Sequence, residues 1–266
     1  MAELQLTKHH GLGNDFLVAF HPHVEDLPAL ARRLCDRRRG IGADGLLIGE
    51  SETGYAARMV LYNSDGSRAE MSGNGIRCFA QALSLRRGDL DAQCILTDAG
   101  ERLVTLYSTE DPGVIEAAVD MGPVSSIDEP DGWHRVGTDP LRPVSHLSVG
   151  NPHAVVAVED VAIVDLLALG GLVPEINLEV IEAGPEPHAI TMRVHERGAG
   201  ITEACGTGAC ASAWAAMAWG LVPADLEEIT VHMDGGDAKV RLHAPKTGHA
   251  TLVGPAEFVG SITVHI

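Results

Sequence analysis

The apolar positions of this chain fall mostly in short runs. FLVAF (16–20), GLLIG (45–49), ARMVLY (57–62), CILTD (94–98) and RLVTLYS (102–108) each read as a strand bounded by turn-forming residues. The opening LQLTKHHG is strand-like as well. Helical signals are fewer. Residues 27–38 follow Asp26 as N-cap and stop at Gly40, and residues 74–87 stop at Gly88. Residues 161–169 follow Asp160 and stop at Gly170. A fourth helix runs from about 206 to 219, with Gly220 as its stop. It is apolar all round, so it must be wrapped on every side, and a sheet curled around it does this.

The pattern also repeats. GLGNDFLV (11–18) resembles SVGNPHAV (148–155), with Gly13 matching Gly150 at an offset of 137. RMVLYN (58–63) resembles TMRVHE (191–196), and Ser72 matches Cys205, both at an offset of 133. VDMGPV (119–124) resembles TLVGPA (251–256) at an offset of 132. Four weak matches in one order at a near-constant offset mark a duplicated unit. The predicted fold class is α+β, with two pseudo-repeat lobes at 1–125 and 126–266. Each is a mostly antiparallel curled sheet or barrel around a central helix, with an active site between lobes. The turn-rich stretch 125–143 reads as the linker. Whether the C-terminal strand crosses back into the first lobe is left open.

Composition narrows the function. The chain has 266 residues, 45% of them hydrophobic but only 4% aromatic, so the core is built from Ala, Val, Leu and Ile. A net charge of −18 lacks the basic footprint that nucleic acid or an anionic membrane requires. Five cysteines are too few for a disulfide scaffold. With no recognisable signal peptide, they point to a reduced, cytoplasmic protein. The uncharged stretch Ala204–Ala224 has the length of a membrane span, but its glycines, Pro223 and alanine content favour a buried soluble helix.

Two of the matched sites carry chemistry. EMSGNGIRC (70–78) and EACGTGAC (203–210) each place a hydroxyl or thiol directly before a Gly-x-Gly turn that opens a helix. A helix N-terminus offers unpaired N–H groups and the positive end of the dipole, which favour a thiolate and cradle a carboxylate. If both helix ends serve one ligand, residues 72 and 205 flank its α-carbon, the arrangement of a racemase or epimerase. No metal or pyridoxal cofactor is required. A lone Gly-x-Gly before a helix is ordinarily just a turn; the recurrence at the repeat offset favours function. Cys78 and Cys210 read as core packing. His153 could be an ordinary loop histidine, and Glu196–Arg197 an exposed ion pair. His9–His10 and His21/His23 lack further partners at metal-ligand spacing.

KHHGLGNDF, RRRGIGADG, YNSDGSRAEMSGNGIRCFA, VGNPHAV, ERGAGITEACGTGACASA and LVGPAEFVG together resemble diaminopimelate epimerase, in family order over nearly the whole chain. The resemblance implies a cofactor-independent isomerase converting LL-2,6-diaminopimelate to the meso form, in bacterial lysine and peptidoglycan biosynthesis. Homodimers are common in the family. It implies that Asn14, Asn63, Asn151 and Asn177 hold the substrate, with Glu196 and Arg197 at or near its distal end. Gly73, Asn74, Gly206 and Thr207 would supply helix-end contacts to the reacting carboxylate. His153 and Glu196 would tune the acid/base groups, and Cys205 matches the second catalytic cysteine.

Three positions depart from the pattern. Gly45 stands where some members have a polar substrate contact, and Val180 where an aromatic is common. Ser72 stands where the first catalytic cysteine is expected, and a hydroxyl is a far weaker acid than a thiol. Ser72 is open to three explanations: an introduced substitution, a native serine in a slow enzyme, or a relative with another reaction. The alternatives on function are a racemase or epimerase of another amino acid and a catalytically dead amino-acid-binding paralogue.

Overall fold

The computed structural model describes residues 3–243 and 248–265. They form two units. One comprises the chain up to Val119 together with the segment from Gly254 onward, and the other runs from Asp120 to Val253. The chain enters the second unit a few residues before the boundary suggested by the sequence.

The first unit contains β1 (Glu3–Gly11), β2 (Asn14–Phe20), α1 (Leu27–Cys35), β3 (Gly45–Glu50), β4 (Ala57–Asn63), β5 (Arg68–Ala69), α2 (Gly73–Arg87), β6 (Gln93–Thr97) and β7 (Gly100–Ser108). It ends with the first part of β8 (Val114–Pro123). Most neighbours pair antiparallel, but β2 pairs parallel with β3 and β4 with β6. The C-terminal segment pairs with β1, and Phe258 N–H donates to the Gly113 carbonyl at 2.9 Å. The curled sheet so formed wraps α2, which packs against β1, β2, β3, β4 and β7. On the outer face α1 packs against β3 and β4. Strands covered on both faces need apolar side chains throughout, which explains why LVA of β2 and GLLIG of β3 are buried without alternation.

The second unit repeats the plan. It has β9 (Ser125–Ser126), β10 (Val144–Ser148), β11 (Pro152–Ala157), α3 (Leu166–Gly170), β12 (Asn177–Ala183), β13 (Ala189–Glu196), β14 (Gly200–Thr202), α4 (Gly206–Trp219), β15 (Ile229–Met233), β16 (Gly236–Leu242) and the start of β17 (His249–His265). Its parallel pairs, β11 with β12 and β13 with β15, sit where those of the first unit sit. Phe16 pairs with Gly45 in one unit, and His153 with Asn177 in the other. The central helix α4 packs against β10, β11, β12, β13, β15 and β16. Its buried residues are all Ala, Gly, Cys, Ser or Thr, so backbone and sheet approach closely.

Three expectations need correction. The first helix ends at Cys35 rather than 38, because Asp36 turns out of helical geometry and its carboxylate accepts from the N–H groups of Arg38 and Arg39. Residues 161–169 do not form one helix. A single 3-10 turn, Val161–Ile163, is capped by Asp160, and α3 starts afresh with its own cap, Asp165. The stretch 125–143 is not a bare linker either. Trp133 is buried against Ala154, Val156, Leu178 and Val180 and meets the His146 ring edge-on at 4.7 Å. Among the described residues no helix is long and apolar enough to cross a membrane. The uncharged stretch after Ala204 is the 14-residue α4.

Candidate active site

Both central helices begin with the same local geometry. Ser72 is the N-cap of α2 in extended conformation (φ −140°, ψ 124°), and Cys205 caps α4 in nearly the same one (φ −129°, ψ 112°). Ser72 Oγ accepts from Gly75 N–H at 3.0 Å, and Cys205 Sγ from Gly208 N–H at 3.4 Å. This is the N-cap contact that satisfies one orphan donor of the first turn. Each chemical group is therefore fixed at a positive helix end. Each turn that delivers the adjacent asparagine depends on a glycine in the left-handed region: Gly13 (φ 82°) before Asn14 and Gly150 (φ 85°) before Asn151.

In the first unit, Asn14, Ser72, Gly73 and Asn74 come together. Arg77, fully buried, donates to Asn74 Oδ1 at 2.8 Å and to the Pro255 carbonyl at 3.1 Å. Asn74 Nδ2 donates to Asn14 Oδ1 at 3.2 Å, and Asn14 Nδ2 donates to Asp44 at 2.8 Å. Arg77 only donates and Asp44 as a carboxylate only accepts, so both amides have one consistent orientation. Room for the guanidinium comes from two glycines. A Cβ on Gly11 would stand 3.0 Å from Arg77 Nη2, and one on Gly254 3.2 Å from Cζ. Asp44 is held in turn by Arg37 at 2.7 Å, which also bridges to Asp15. Burial pushes Asp15 up, but hydrogen bonds from Arg37 and Lys8 outweigh it and keep Asp15 below the usual carboxylate range. Asn63 takes no part in these bonds between Arg77, Asn74, Asn14 and Asp44. It ends β4, donates to Ser67 Oγ at 3.0 Å, and is tied in through Ser64 N–H to the Asp44 carbonyl at 3.0 Å.

In the second unit, His153, Asn151, Thr207, Cys205 and Glu196 form one network, with Gly206 between Cys205 and Thr207 in the chain and Asn177 paired with His153 across neighbouring strands. His153 lies between Glu179, 2.6 Å from Nδ1, and Asn151 Oδ1, 2.9 Å from Nε2. Asn151 Nδ2 donates to Thr207 Oγ1 at 3.2 Å, and that hydroxyl lies 3.5 Å from Cys205 Sγ. Asn177 accepts from Arg197 N–H at 2.9 Å and donates to the Pro152 carbonyl at 3.1 Å. Arg197 is exposed, and its backbone N–H enters this network. Thr202 donates to the half-buried Glu196, whose carboxyl is raised by burial and by Glu179 and drawn back by Thr202 and Cys205.

The expectation that the helix end favours a Cys205 thiolate is corrected here. The thiol is raised well above its ordinary value, by burial first and then by the charges of Glu196 and Glu179. Hydrogen bonds from Thr207 and Gly208 pull the other way and do not overcome this. Cys205 therefore rests as the thiol, the form that gives a proton. Cys78 is pushed up to about 12 by burial and packs as core, so it is no substitute for Ser72.

Sequence reasoning passed over Glu179, Arg77 and Asp44. Glu179 had a signal: it lies two residues from Asn177 in a strand, hence on the same face, amid apolar neighbours. Arg77 sits inside the quoted GNGIRC stretch, in a helix buried on nearly all sides. Among the described residues no group of three or more His, Cys, Asp or Glu is arranged to hold a metal ion.

Residues 6–127 and 145–259 match the family model described as diaminopimelate epimerase. The diaminopimelate epimerase of Synechococcus elongatus is 38% identical over 280 residues, covering 95% of each chain. That of Cyanothece sp. is 40% identical, covering 96% of this chain and 98% of the relative. Among solved structures, a phenazine biosynthesis protein of the PhzF family from Bacillus anthracis superposes over 100% of both chains with a TM-score of 0.77 at 15% identity. A hydroxyproline epimerase from Agrobacterium vitis does so over 98% of this chain and 92% of its own, with a TM-score of 0.69 at 15% identity. The structural likenesses establish a shared fold. The sequence matches, extending through both repeats and both helix N-termini, establish more: this chain belongs to the diaminopimelate epimerase family.

Proposed function

We propose that this protein epimerises LL-2,6-diaminopimelate to the meso form, at a rate limited by Ser72. The observation that carries the proposal is the matched pair of helix N-termini, each capped in the same geometry by a residue able to move a proton. Epimerisation removes a proton from one face of the α-carbon and delivers one to the other. We assign these tasks to residue 72 and Cys205. The first-turn N–H groups at Gly73–Asn74 and Gly206–Thr207 take the reacting carboxylate, where they also stabilise the negative charge that develops as the proton leaves. Asn14, Asn63, Asn151 and Asn177 hold the ammonium and carboxylate groups, since an amide both donates and accepts. Glu196 and Arg197 receive the distal end.

Cys205, resting as a thiol, is the proton donor; Glu196 tunes it by charge, and His153 through Asn151 and Thr207. The complementary task calls for a base. A serine hydroxyl is a poor one near neutral pH, so turnover is slow while binding is retained. The protein acts in lysine and peptidoglycan biosynthesis, in the cytoplasm, as a homodimer. Light scattering on purified protein tests the assembly.

The reaction is tested by incubating the protein with LL-diaminopimelate in deuterated water. Solvent deuterium at the α-carbon, with slow appearance of the meso isomer, is the expected result. A panel of other amino acids runs alongside. Efficient turnover of one of them without turnover of diaminopimelate would overturn the substrate. Tight binding of diaminopimelate without exchange, even in the Ser72→Cys variant, would make the protein a binding paralogue.

A further inference from the structure

Glu179 has no exposure, belongs to no step assigned above, and has one carboxylate oxygen, Oε2, without a hydrogen-bond partner. Its other oxygen stands 2.6 Å from the point where a Cβ on Gly208 would lie, so it sits hard against the first turn of α4. The same oxygen is 2.6 Å from His153 Nδ1. From there a chain of contacts leads back to the thiol: His153 Nε2 to Asn151 Oδ1, Asn151 Nδ2 to Thr207 Oγ1, Thr207 Oγ1 to Cys205 Sγ.

The chain has a direction. Both nitrogens of His153 face oxygen acceptors, and a proton on each satisfies both. Nε2–H then takes Asn151 Oδ1, which leaves the Asn151 amide nitrogen to donate to Thr207. Once Thr207 Oγ1 accepts that bond, its own hydrogen is free for the sulfur. We infer that Glu179 is a positioning residue: through His153 and Asn151 it commits the Thr207 hydroxyl to donate to Cys205. Without Glu179, a neutral ring need not keep its proton on Nε2. The Asn151 amide can then turn over, and Thr207 can donate to Asn151 instead of to the sulfur. The inference rests on Cys205 being an acid/base group of the epimerase, since a thiol that must ionise in each turnover needs a donor for its thiolate.

The charges around Cys205 must be separated from this chain. Glu179 and Glu196 both oppose ionisation by charge, and His153 lies beside them. Removing Glu179 therefore has a Coulombic effect that favours the thiolate and a relay effect that disfavours it. A double-mutant cycle isolates the second. The readout is the pH dependence of Cys205 alkylation by iodoacetamide, followed by peptide mass spectrometry in otherwise unaltered protein. Buried Cys78 and Cys210 serve as internal markers of folding.

Thr207→Val is expected to move the Cys205 profile up by about one pH unit, the loss of one hydrogen bond to a charged group, whereas Thr207→Ser leaves it in place. Glu179→Leu is expected to move the profile higher in the Thr207 background than in the Thr207→Val background. Leu47 occupies the corresponding position of the first unit, so leucine suits the framework. Should that variant not fold, His153→Phe with Glu179→Leu, which copies Phe16 and Leu47, goes through the same cycle. An identical effect of the Glu179 change in both backgrounds would overturn the relay, and so would a Thr207→Val profile that does not rise. Failure of the epimerase assignment looks different: no α-hydrogen exchange in diaminopimelate, whatever the Cys205 profiles show.

Discussion

The two helix N-termini share geometry and differ in electrical character. At α2, hydrogen-bond donors run outward from Arg77 through Asn74 and Asn14 to Asp44, and none of these bonds ends on Ser72. At α4, they run inward from His153 through Asn151 and Thr207 to Cys205. Where the second unit has His153 and Glu179, the first has Phe16 and Leu47; where the first has Arg77, the second has Cys210. A buried cation lies behind one cap, and the buried Glu179 and half-buried Glu196 oppose ionisation at the other. A duplicated framework has thus kept the N-cap and the cradle, which the backbone dictates. It has diverged in the charged side chains around the two caps.

The harshest way to break the comparison is to remove the intact half. Cys205→Ala should cut α-hydrogen exchange by roughly 10²–10⁴-fold, the usual worth of a positioned acid or base, with diaminopimelate binding measured by calorimetry changed little. Exchange at the original rate would leave α4 with no more than a binding role.

Acid stability separates the units next. His9 in β1 is buried, and burial, aided by His10 and opposed by its bond to Gln81, lowers it from 6.5 to about 4. The unfolded chain therefore binds the extra proton first as pH falls. Stability is full above about pH 6.5 and declines towards pH 4, by up to about 3 kcal/mol from this group. His146, its counterpart in β10, is only half-buried and is lowered in the same direction. In urea titrations across this range, His9→Leu should flatten the slope more than His146→Leu does. Equal flattening would contradict the difference in burial.

The first-turn glycines give a smaller contrast. A Cβ on Gly208 would meet Glu179 at 2.6 Å and Cys205 Sγ at 3.2 Å, whereas one on Gly75 meets Ser72 Cβ at 3.0 Å and Phe16 at 3.4 Å. Gly208→Ala should cost about 2 kcal/mol of stability and Gly75→Ala less, both read from urea midpoints. The least effect, and an equal one, belongs to the helix stops. Gly88 (φ 79°, ψ 22°) and Gly220 (φ 72°, ψ 22°) close α2 and α4 in one left-handed conformation with open space around each. Alanine at either should cost about 1 kcal/mol. Unequal costs would show that the shared geometry hides different constraints.

Much of this is legible in the sequence. The strand runs, the two central helices with their glycine stops, and the repeat all register backbone requirements, which leave a local mark in sequence. The failures are of another kind. The helix at 161–169 broke because Asp165 offers a second cap within the same apolar pattern, and local signals do not say which cap wins. The thiolate expected at Cys205 fails because the helix-end effect is local, whereas the burial that raises the thiol most, and the charges of Glu196 and Glu179 that add to it, come from the strands around the helix. Arg77 hid in a buried helix because one of its acceptors, the Pro255 carbonyl, is 178 residues away.

The central claim is that the two caps are the two proton carriers of one epimerisation and that Ser72 is the impaired one. Its most direct test is the initial rate of conversion of LL- to meso-diaminopimelate by Ser72→Cys beside the unaltered chain. A rise of roughly 10²–10⁴-fold is the predicted result. A folded Ser72→Cys protein that binds diaminopimelate yet converts it no faster than the unaltered chain would contradict it.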